Sequence, residues 1–388
     1  MPDRDDEVSR IGLGIIGGGG AFGRFIATAL PLAPGLALQG IAGTNELRTR
    51  QAARALGAPF WTLDYHELIA HPLIDVLVIA SPPHLHAEMA LASLRSGKAI
   101  FVEKPLATSV SDGMQVFEEA RRHNVPATID YVMRYSPLYQ VAHQIVQTRL
   151  FGALRRMDFR NDAGDEGLAD DHWFWDRAKS GGIFIEHGVH FFDVYGWLAD
   201  AAPTAVQGVA LMRDDTDQQD VVHADVRYHN GILGTYTHAF DKPSRLESQE
   251  GLLVFDRGSL HIHGWTPVRL EAEGLLTDAE RGQLERIPGL HLTTVAQFDA
   301  DQSMRGRGRQ FSVRHHVRGA LVPFEESQEL YRRAVGAALA DLVATMRDRQ
   351  HRQVVTLADG LLSLAVACVA AGTAESAALQ RVVDVIQN

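Results

Sequence analysis

Ile15-Ile16-Gly17-Gly18-Gly19-Gly20-Ala21-Phe22-Gly23-Arg24 is the stretch on which the reading of this chain turns. It closes a short apolar run, residues 11–16, and opens a helical pattern, residues 22–30, that Pro31 and Pro34 stop. Gly18, Gly20 and Gly23 stand at G-x-G-x-x-G spacing. The first glycine of such a turn permits the tight bend, the second lets backbone approach a pyrophosphate, and the third lets the helix sit close to the sheet. The phosphate then meets free N–H groups at a helix N-terminus. Gly18, Gly20, Ala21, Phe22 and Gly23 are therefore the expected dinucleotide contacts. A second register, through Gly17 and Gly19, puts Phe22 in the third place and fits less well.

Outward from this turn the β–α alternation continues. Residues 36–42 read as a strand, 46–56 as a helix ended by Gly57, and 74–80 as a strand with almost no polar residue. A helix over 86–96, a strand over 99–102, a helix over 110–124 and a strand over 126–131 follow. Continuous apolar strands imply burial on both faces by crossover helices. Pro137 interrupts the pattern, which places a domain boundary near 133–139: a dinucleotide-binding domain over 1–135 and a substrate-binding and oligomerisation domain over 136–388. The grammar of the second part is different. Strand-like pieces at 154–161, 204–212, 221–228, 231–238, 249–256 and 258–263 succeed one another with only one long helix, 188–198, among them. They imply a large open sheet, mixed or antiparallel. Residues 161–171 read as an acidic, glycine-rich loop, and 275–318 carry no clear pattern. Helices return at 325–350 and 357–371, free to pack back on the first domain.

Composition narrows the classes of partner. The chain has 388 residues, 46% hydrophobic and 22% charged, with a formal net charge of −11. A broad basic surface is excluded, and with it nucleic acid as the expected partner. One cysteine, Cys368, makes no intramolecular disulfide, which points to the cytoplasm. Residues 1–10 show no cationic-then-apolar leader, the apolar stretch 11–36 is broken by glycines, Arg24 and two prolines, and 361–371 is too short to span a bilayer. No membrane partner is expected. There are 18 histidines, but no H-E-x-x-H and no paired cysteines, so no metal site is expected.

The second strand ends Ile41-Ala42-Gly43-Thr44-Asn45, without the carboxylate that often bonds the adenosine ribose. A carboxylate there would repel a 2′-phosphate, and its absence admits NADP. Thr44 and Asn45 supply donors, and Arg48 or Arg50 can pair with phosphate. The expected cofactor is NADP or NAD, with a lean to NADP.

Two further clusters carry chemistry. Lys104 follows the strand 99–102 at the sheet edge where ligands bind in parallel sheets. In Ser180-Gly181-Gly182-Ile183-Phe184-Ile185-Glu186-His187-Gly188-Val189-His190-Phe191-Phe192-Asp193, charged and imidazole groups are set in an apolar run, which is costly unless they are paired or used. On a helix Glu186 and His190 share a face, and His190 and Asp193 are close.

These pieces resemble the glucose–fructose oxidoreductase, inositol dehydrogenase and rhizopine-catabolism family (Gfo/Idh/MocA). The resemblance rests on Glu103-Lys104-Pro105 in its strand context, on Ser81-Pro82-Pro83-His84-Leu85-His86-Ala87, and on Gly181-Gly182 through Asp193. It implies a Rossmann domain followed by an α/β domain on a large sheet, a sugar, polyol or related hydroxy or carbonyl substrate, and a homodimer or homotetramer. It implies Lys104 as the group that polarises the reacting oxygen, His190 as acid and base, and Glu186 as their carboxylate. Ser81, Pro82, His86 and Glu103 fall near the cofactor by the same resemblance. So do Arg134, together with Tyr131, and Trp175. Three departures stand out. Glu186 takes the place of an aspartate, and a displacement of about 1 Å can cost on the order of 100-fold in rate. Pro83 stands where many relatives carry asparagine, and Gly43 where a second-strand aspartate is common. Competing readings are a dinucleotide-binding sensor without turnover and a reductase of a non-sugar carbonyl or imine.

Overall fold

The structure, a computed structural model, describes residues 10–376. The leader reading of the first residues and the last part of the second expected domain lie outside the described residues.

The first part alternates strand and helix: β1 (Ile11–Ile16), α1 (Ala21–Ala29), β2 (Leu36–Ala42), α2 (Glu46–Leu56), β3 (Phe60–Thr62), α3 (Tyr65–Ala70), β4 (Val76–Ile79), α4 (His86–Arg95), β5 (Ala99–Val102), α5 (Val110–His123) and β6 (Ala127–Ile129). The six strands form one sheet in the order β3-β2-β1-β4-β5-β6, with every pair parallel. All four residues of β4 and all four of β5 are buried, as continuous apolar strands require. Alternate side chains serve opposite faces. Val76 and Val78 pack toward α1 and α2, while Leu77 and Ile79 pack toward α3, α4 and α5. Capping fixes the helix starts: the Asn45 side chain accepts the Arg48 N–H, and Ser109 accepts that of Asp112. The short strand β3 escaped the sequence reading because three residues hold no period.

The second part opens with α6 (Pro137–Thr148), which carries proline in its first turn, and continues with β7 (Leu154–Gly164) and α7 (Arg177–Ser180). One π-helical turn, Phe184–Gly188, leads into α8 (Val189–Ala199). Then come β8 (Pro203–Met212), β9 (Gln219–Tyr228), β10 (Leu233–Lys242), β11 (Ser248–Phe255), β12 (Gly258–His263), β13 (Arg269–Leu276), α9 (Asp278–Leu284), β14 (His291–Gly306), β15 (Arg309–Leu321), α10 (Ser327–Arg347) and α11 (Leu357–Ser376). Nine strands form the mixed sheet β14-β15-β13-β12-β11-β7-β10-β9-β8, antiparallel except for β7 with β10.

The unpatterned stretch 275–318 resolves into α9, held by a Thr277–Glu280 capping box, and the long hairpin β14–β15. The hairpin is exposed along most of β14, so its residues alternate too little for a period to show. Residues 161–164 continue β7 rather than starting a loop.

Both C-terminal helices return to the first sheet. Ala334, Val335, Ala338, Leu339 and Leu342 of α10 close the α1–α2 face, and Leu364 and Ala367 of α11 join the core on the other. The sequence made the apolar core of α11 too short for a bilayer, but the observed helix runs 20 residues. Over 357–375 it has the length and apolarity of a span, by composition alone. It packs on α5, α8 and β8 as a core helix does.

Candidate active site

In the first sheet the strand order reverses between β1 and β4, and ligands bind at the C-terminal edge of such a switch. Gly17 turns the chain there with φ +89°, and a Cβ on it would stand 2.3 Å from the Ala80 carbonyl oxygen. The Gly17 and Gly18 N–H groups both donate to the Ala42 carbonyl, at 2.9 and 3.1 Å. A Cβ on Gly23 would meet the Gly17 carbonyl at 2.6 Å, so α1 lies directly on the turn. Gly20 caps α1 without a side chain, and no acidic residue stands in the helix's first turn. Its first N–H groups are thus open to an anion. Gly23 is where helix and turn approach closely, whereas the left-handed backbone falls on Gly17, outside the Gly18–Gly20–Gly23 spacing.

The cleft over this turn, about 800 Å³, is lined by Gly17, Gly19, Gly20, Gly43, Thr44, Asn45, Arg48, Tyr65, Ser81 and Pro82 among others, with no carboxylate. Gly18 and Gly23 do not line it; they bring strand and helix together. A Cβ on Gly43 would stand 2.4 Å from the Thr49 hydroxyl, which donates to the Asn45 carbonyl at 2.7 Å. An aspartate at that strand tip would have to displace the Thr49 hydroxyl. The Ser81 hydroxyl is buried without a partner. A glycine cradle with no space for a Cβ, an open helix N-terminus and an orphaned hydroxyl fit a dinucleotide.

A second cleft adjoins the first and shares Gly20, Ala80, Ser81 and Pro82 with it. Ala21 and Phe22 line this one, beside Glu103, Lys104, Glu186, His187 and His190. Its wall is apolar and aromatic: Leu168, Trp173, Phe174, Phe240, Trp265 and Tyr331. Lys104 leaves the end of β5 through a cis Lys104–Pro105 peptide. Its ammonium donates to Glu186 Oε1 at 2.5 Å and to the Glu186 carbonyl at 2.8 Å. The glutamate's extra methylene therefore does not lose the lysine. An ammonium has three N–H groups, and one is left for a ligand.

His190 is buried in the first turn of α8, with its Nδ1 unpartnered. Burial, then Lys104, His187 and His238, hold its pKa well below the usual histidine range. It is a neutral imidazole at neutral pH and can accept a proton. Beneath Lys104, Glu103 ends β5 and Asp130 ends β6, both buried. Burial and the Asp130 carboxyl push Glu103 well up, and burial raises Asp130 to about 6. Two carboxyls so placed disfavour each other's ionisation.

Several expected site residues lie elsewhere. His86 is buried behind the Ser81 turn, with its two ring nitrogens at 2.6 and 2.7 Å from the Pro105 and Ser81 carbonyls. It braces the two loops and does not face either cleft. Arg134 is buried in a bidentate pair with Asp193, at 2.9 and 2.6 Å, and bonds Asp359 of α11 at 3.0 Å. It borders a different cavity, and Asp193 turns to it rather than to His190. Tyr131 bonds Ser363 in the interior. The Trp175 ring lies under the Arg213 guanidinium, 4.0 Å away, and its neighbours Trp173 and Phe174 line the cleft instead. Arg134 and Tyr131 are captured at their polar ends by partners distant in sequence, whereas Trp175 is held by its ring face and its indole N–H is buried without a partner. Phe240, Trp265 and Tyr331 were not expected in the site, and no local signal marks them. Among the described residues no three metal-ligating side chains converge.

Comparison with known proteins places the fold. A family model described as an oxidoreductase family with an NAD-binding Rossmann fold (GFO_IDH_MocA) matches residues 11–131. The model of the GFO/IDH/MocA C-terminal domain matches residues 139–264. A scyllo-inositol 2-dehydrogenase (NAD(+)) of Bacillus subtilis is 29% identical over 175 residues, 45% of this chain and 50% of that protein. The match thus spans half that relative's length. A levoglucosan dehydrogenase of Pseudarthrobacter phenanthrenivorans is 26% identical over 292 residues, covering 64% of this chain and 74% of that one. Among solved structures, a levoglucosan dehydrogenase in complex with NADH and levoglucosan superposes with a TM-score of 0.75 at 18% identity, over 95% of this chain and 98% of that one. An oxidoreductase domain protein from Kribbella flavida gives 0.76 at 17%, over 95% and 98%.

Proposed function

Because the chain belongs to the Gfo/Idh/MocA oxidoreductase family, we propose that it is an NAD(P)-dependent dehydrogenase acting on an uncharged sugar, polyol or related hydroxy compound. The observation that carries this reading is the Lys104–Glu186 pair beside a buried, neutral His190, all on the cleft that adjoins the glycine cradle. The nicotinamide dinucleotide, when bound, supplies the hydride acceptor, or the donor in the reverse direction.

The glycine turn, Thr44, Asn45, Arg48 and Ser81 hold the dinucleotide, with its reacting end toward the second cleft. The free N–H of Lys104 bonds the reacting oxygen and stabilises the charge that develops on it. His190 takes the hydroxyl proton and returns it in reduction. Glu186 fixes the ammonium, and its charge cancels that of the lysine. Among the described residues no other cation lines the cleft, which favours an uncharged substrate over a carboxylate. Trp173, Phe174, Trp265 and Tyr331 exclude water and offer faces for a ring. Among the described residues no carboxylate lines the first cleft beside Arg48, which favours NADP. Homodimer or homotetramer assembly and a cytoplasmic site rest on the family resemblance and the single cysteine.

The test is a dehydrogenase screen with NAD and NADP in parallel against inositols, aldoses, anhydrosugars and deoxy analogues. Turnover that Lys104→Ala and His190→Ala each abolish supports the reading. Cofactor fluorescence quenching without turnover on any substrate overturns it in favour of a sensor.

A further inference from the structure

The floor of the second cleft holds two carboxyls that the proposed chemistry does not use. Glu103 follows β5 and Asp130 follows β6, side by side in the parallel register that pairs Val102 with Ile129. Glu103 lines the cleft, with 7% of its surface exposed, and Asp130 lies behind it at 1%. The two carboxyls are within hydrogen-bond reach of each other. Among the described residues, no N–H or O–H group donates to either Asp130 oxygen or to Glu103 Oε1. Buried acceptors left in that state are expensive. Two carboxyls that face each other bond only when one of them carries a proton, and an ionised pair would add like-charge repulsion to the cost of burial.

The neighbouring cation points the same way. The Lys104 ammonium is close enough to act on both carboxyls, yet among the described residues it pairs with Glu186 alone, at 2.5 Å. The other groups that face the pair are the Lys104 backbone N–H, Tyr331 of α10 and Tyr135. Burial raises both phenols, so they stay neutral, and the Tyr135 hydroxyl donates to Asp341 at 2.8 Å instead. We infer that Glu103 and Asp130 share one proton, and that Asp130 is thereby a positioning residue for Lys104. An ionised Glu103 would stand in the cleft as a second counter-ion, drawing the ammonium off Glu186 and off the reacting oxygen. With the proton shared, Lys104 stays on Glu186 and keeps one N–H free. The inference rests on the dehydrogenase reading above and gives a role to a side chain that lines neither cleft.

The test is a double-mutant cycle of Asp130→Asn and Glu103→Gln, read as kcat against pH on the best substrate of the panel. In wild type the pair loses its shared proton as pH rises, and kcat falls with it. Asp130→Asn removes the neighbour that holds the proton on Glu103. The alkaline fall should then begin on the order of one to two pH units lower, and kcat at neutral pH should drop about 10-fold. In the Glu103→Gln background, Asp130→Asn should change neither. A merely structural Asp130 would cost the same in both backgrounds, and that result overturns the inference while the dehydrogenase reading stands. Infrared difference spectra at neutral pH give a readout that needs no turnover. Wild type minus Glu103→Gln, and wild type minus Asp130→Asn, should each show the C=O stretch of a protonated carboxyl. Its absence overturns the shared proton, and the Glu103→Gln spectrum alone decides this if Asp130→Asn does not fold. If wild type oxidises nothing in the panel with either cofactor, the dehydrogenase reading falls and takes the positioning role with it, while the band still decides the proton.

Discussion

The two clefts are built by different means. The cleft over the glycine turn works with backbone: N–H groups, a left-handed Gly17 and close approaches that leave no room for a Cβ. The adjoining cleft works with side chains delivered by β5, the π-helical turn, α8, β10 and α10, and by loops near Trp173 and Trp265. A backbone site tolerates change in most of its residues but none at two or three. A side-chain site spreads its energy over many residues, with the chemistry concentrated in a few.

The sharpest way to break the contrast is at Gly23. Valine there would drive Cβ to 2.6 Å from the Gly17 carbonyl and lift α1 off the turn. Cofactor quenching should be lost, while Lys104, Glu186 and His190, carried by other elements, keep their places. Tight cofactor binding by Gly23→Val would show that the cradle is not the dinucleotide site. Next in size is Lys104→Ala. Removing the charge aimed at the reacting oxygen should lower kcat on the order of 100- to 1000-fold. The cofactor dissociation constant should stay within about twofold, since the first cleft works without the lysine. A variant that loses cofactor affinity along with turnover would join the two clefts into one binding unit.

Arg48→Ala probes the first cleft alone. If the guanidinium pairs with a 2′-phosphate, NADP affinity should fall about 10- to 100-fold and NAD affinity should barely change. A parallel loss for both dinucleotides would make Arg48 a general contact.

The same division explains what could be read in advance. Backbone recognition is local, so Gly18, Gly20 and Gly23, the all-buried strands and the missing carboxylate near Gly43 were legible from spacing alone. Lys104, Glu186 and His190 were legible because they lie within short stretches whose order is distinctive. Arg134 and Trp175 were misplaced because their partners, Asp359 and Arg213, lie far away in the chain. Tyr331 and Trp265 had no local signal at all. They enter the cleft only because α10 returns to the first sheet and the β12–β13 connection leans over α8.

The smallest expected effect concerns the ground behind the second cleft. His238 is fully buried on β10, with neither ring nitrogen bonded. Burial, then His187 and His223, hold its pKa well below the ordinary histidine value of 6.5. Its folded form stays neutral where its unfolded form takes up a proton. As pH falls below about 6.5 the unfolded chain gains protons that the folded chain cannot, so stability falls with pH, by at most about 1.4 kcal/mol per unit for one such group. The raised carboxyls Glu103 and Asp130 act in the opposite sense, since they hold protons in the folded state that they lose on unfolding. The sum over all groups is therefore uninformative, and the difference between two proteins is what matters. His238→Leu should remove one histidine's share, so the drop in stability from pH 7 to pH 5.5, read from denaturant melts, should be smaller by about 1 kcal/mol. An unchanged drop would mean that His238 is protonated in the folded state and has found a partner. The back of the second cleft would then be polar, and the distinction between a backbone site and a side-chain site in an apolar setting would have to be redrawn.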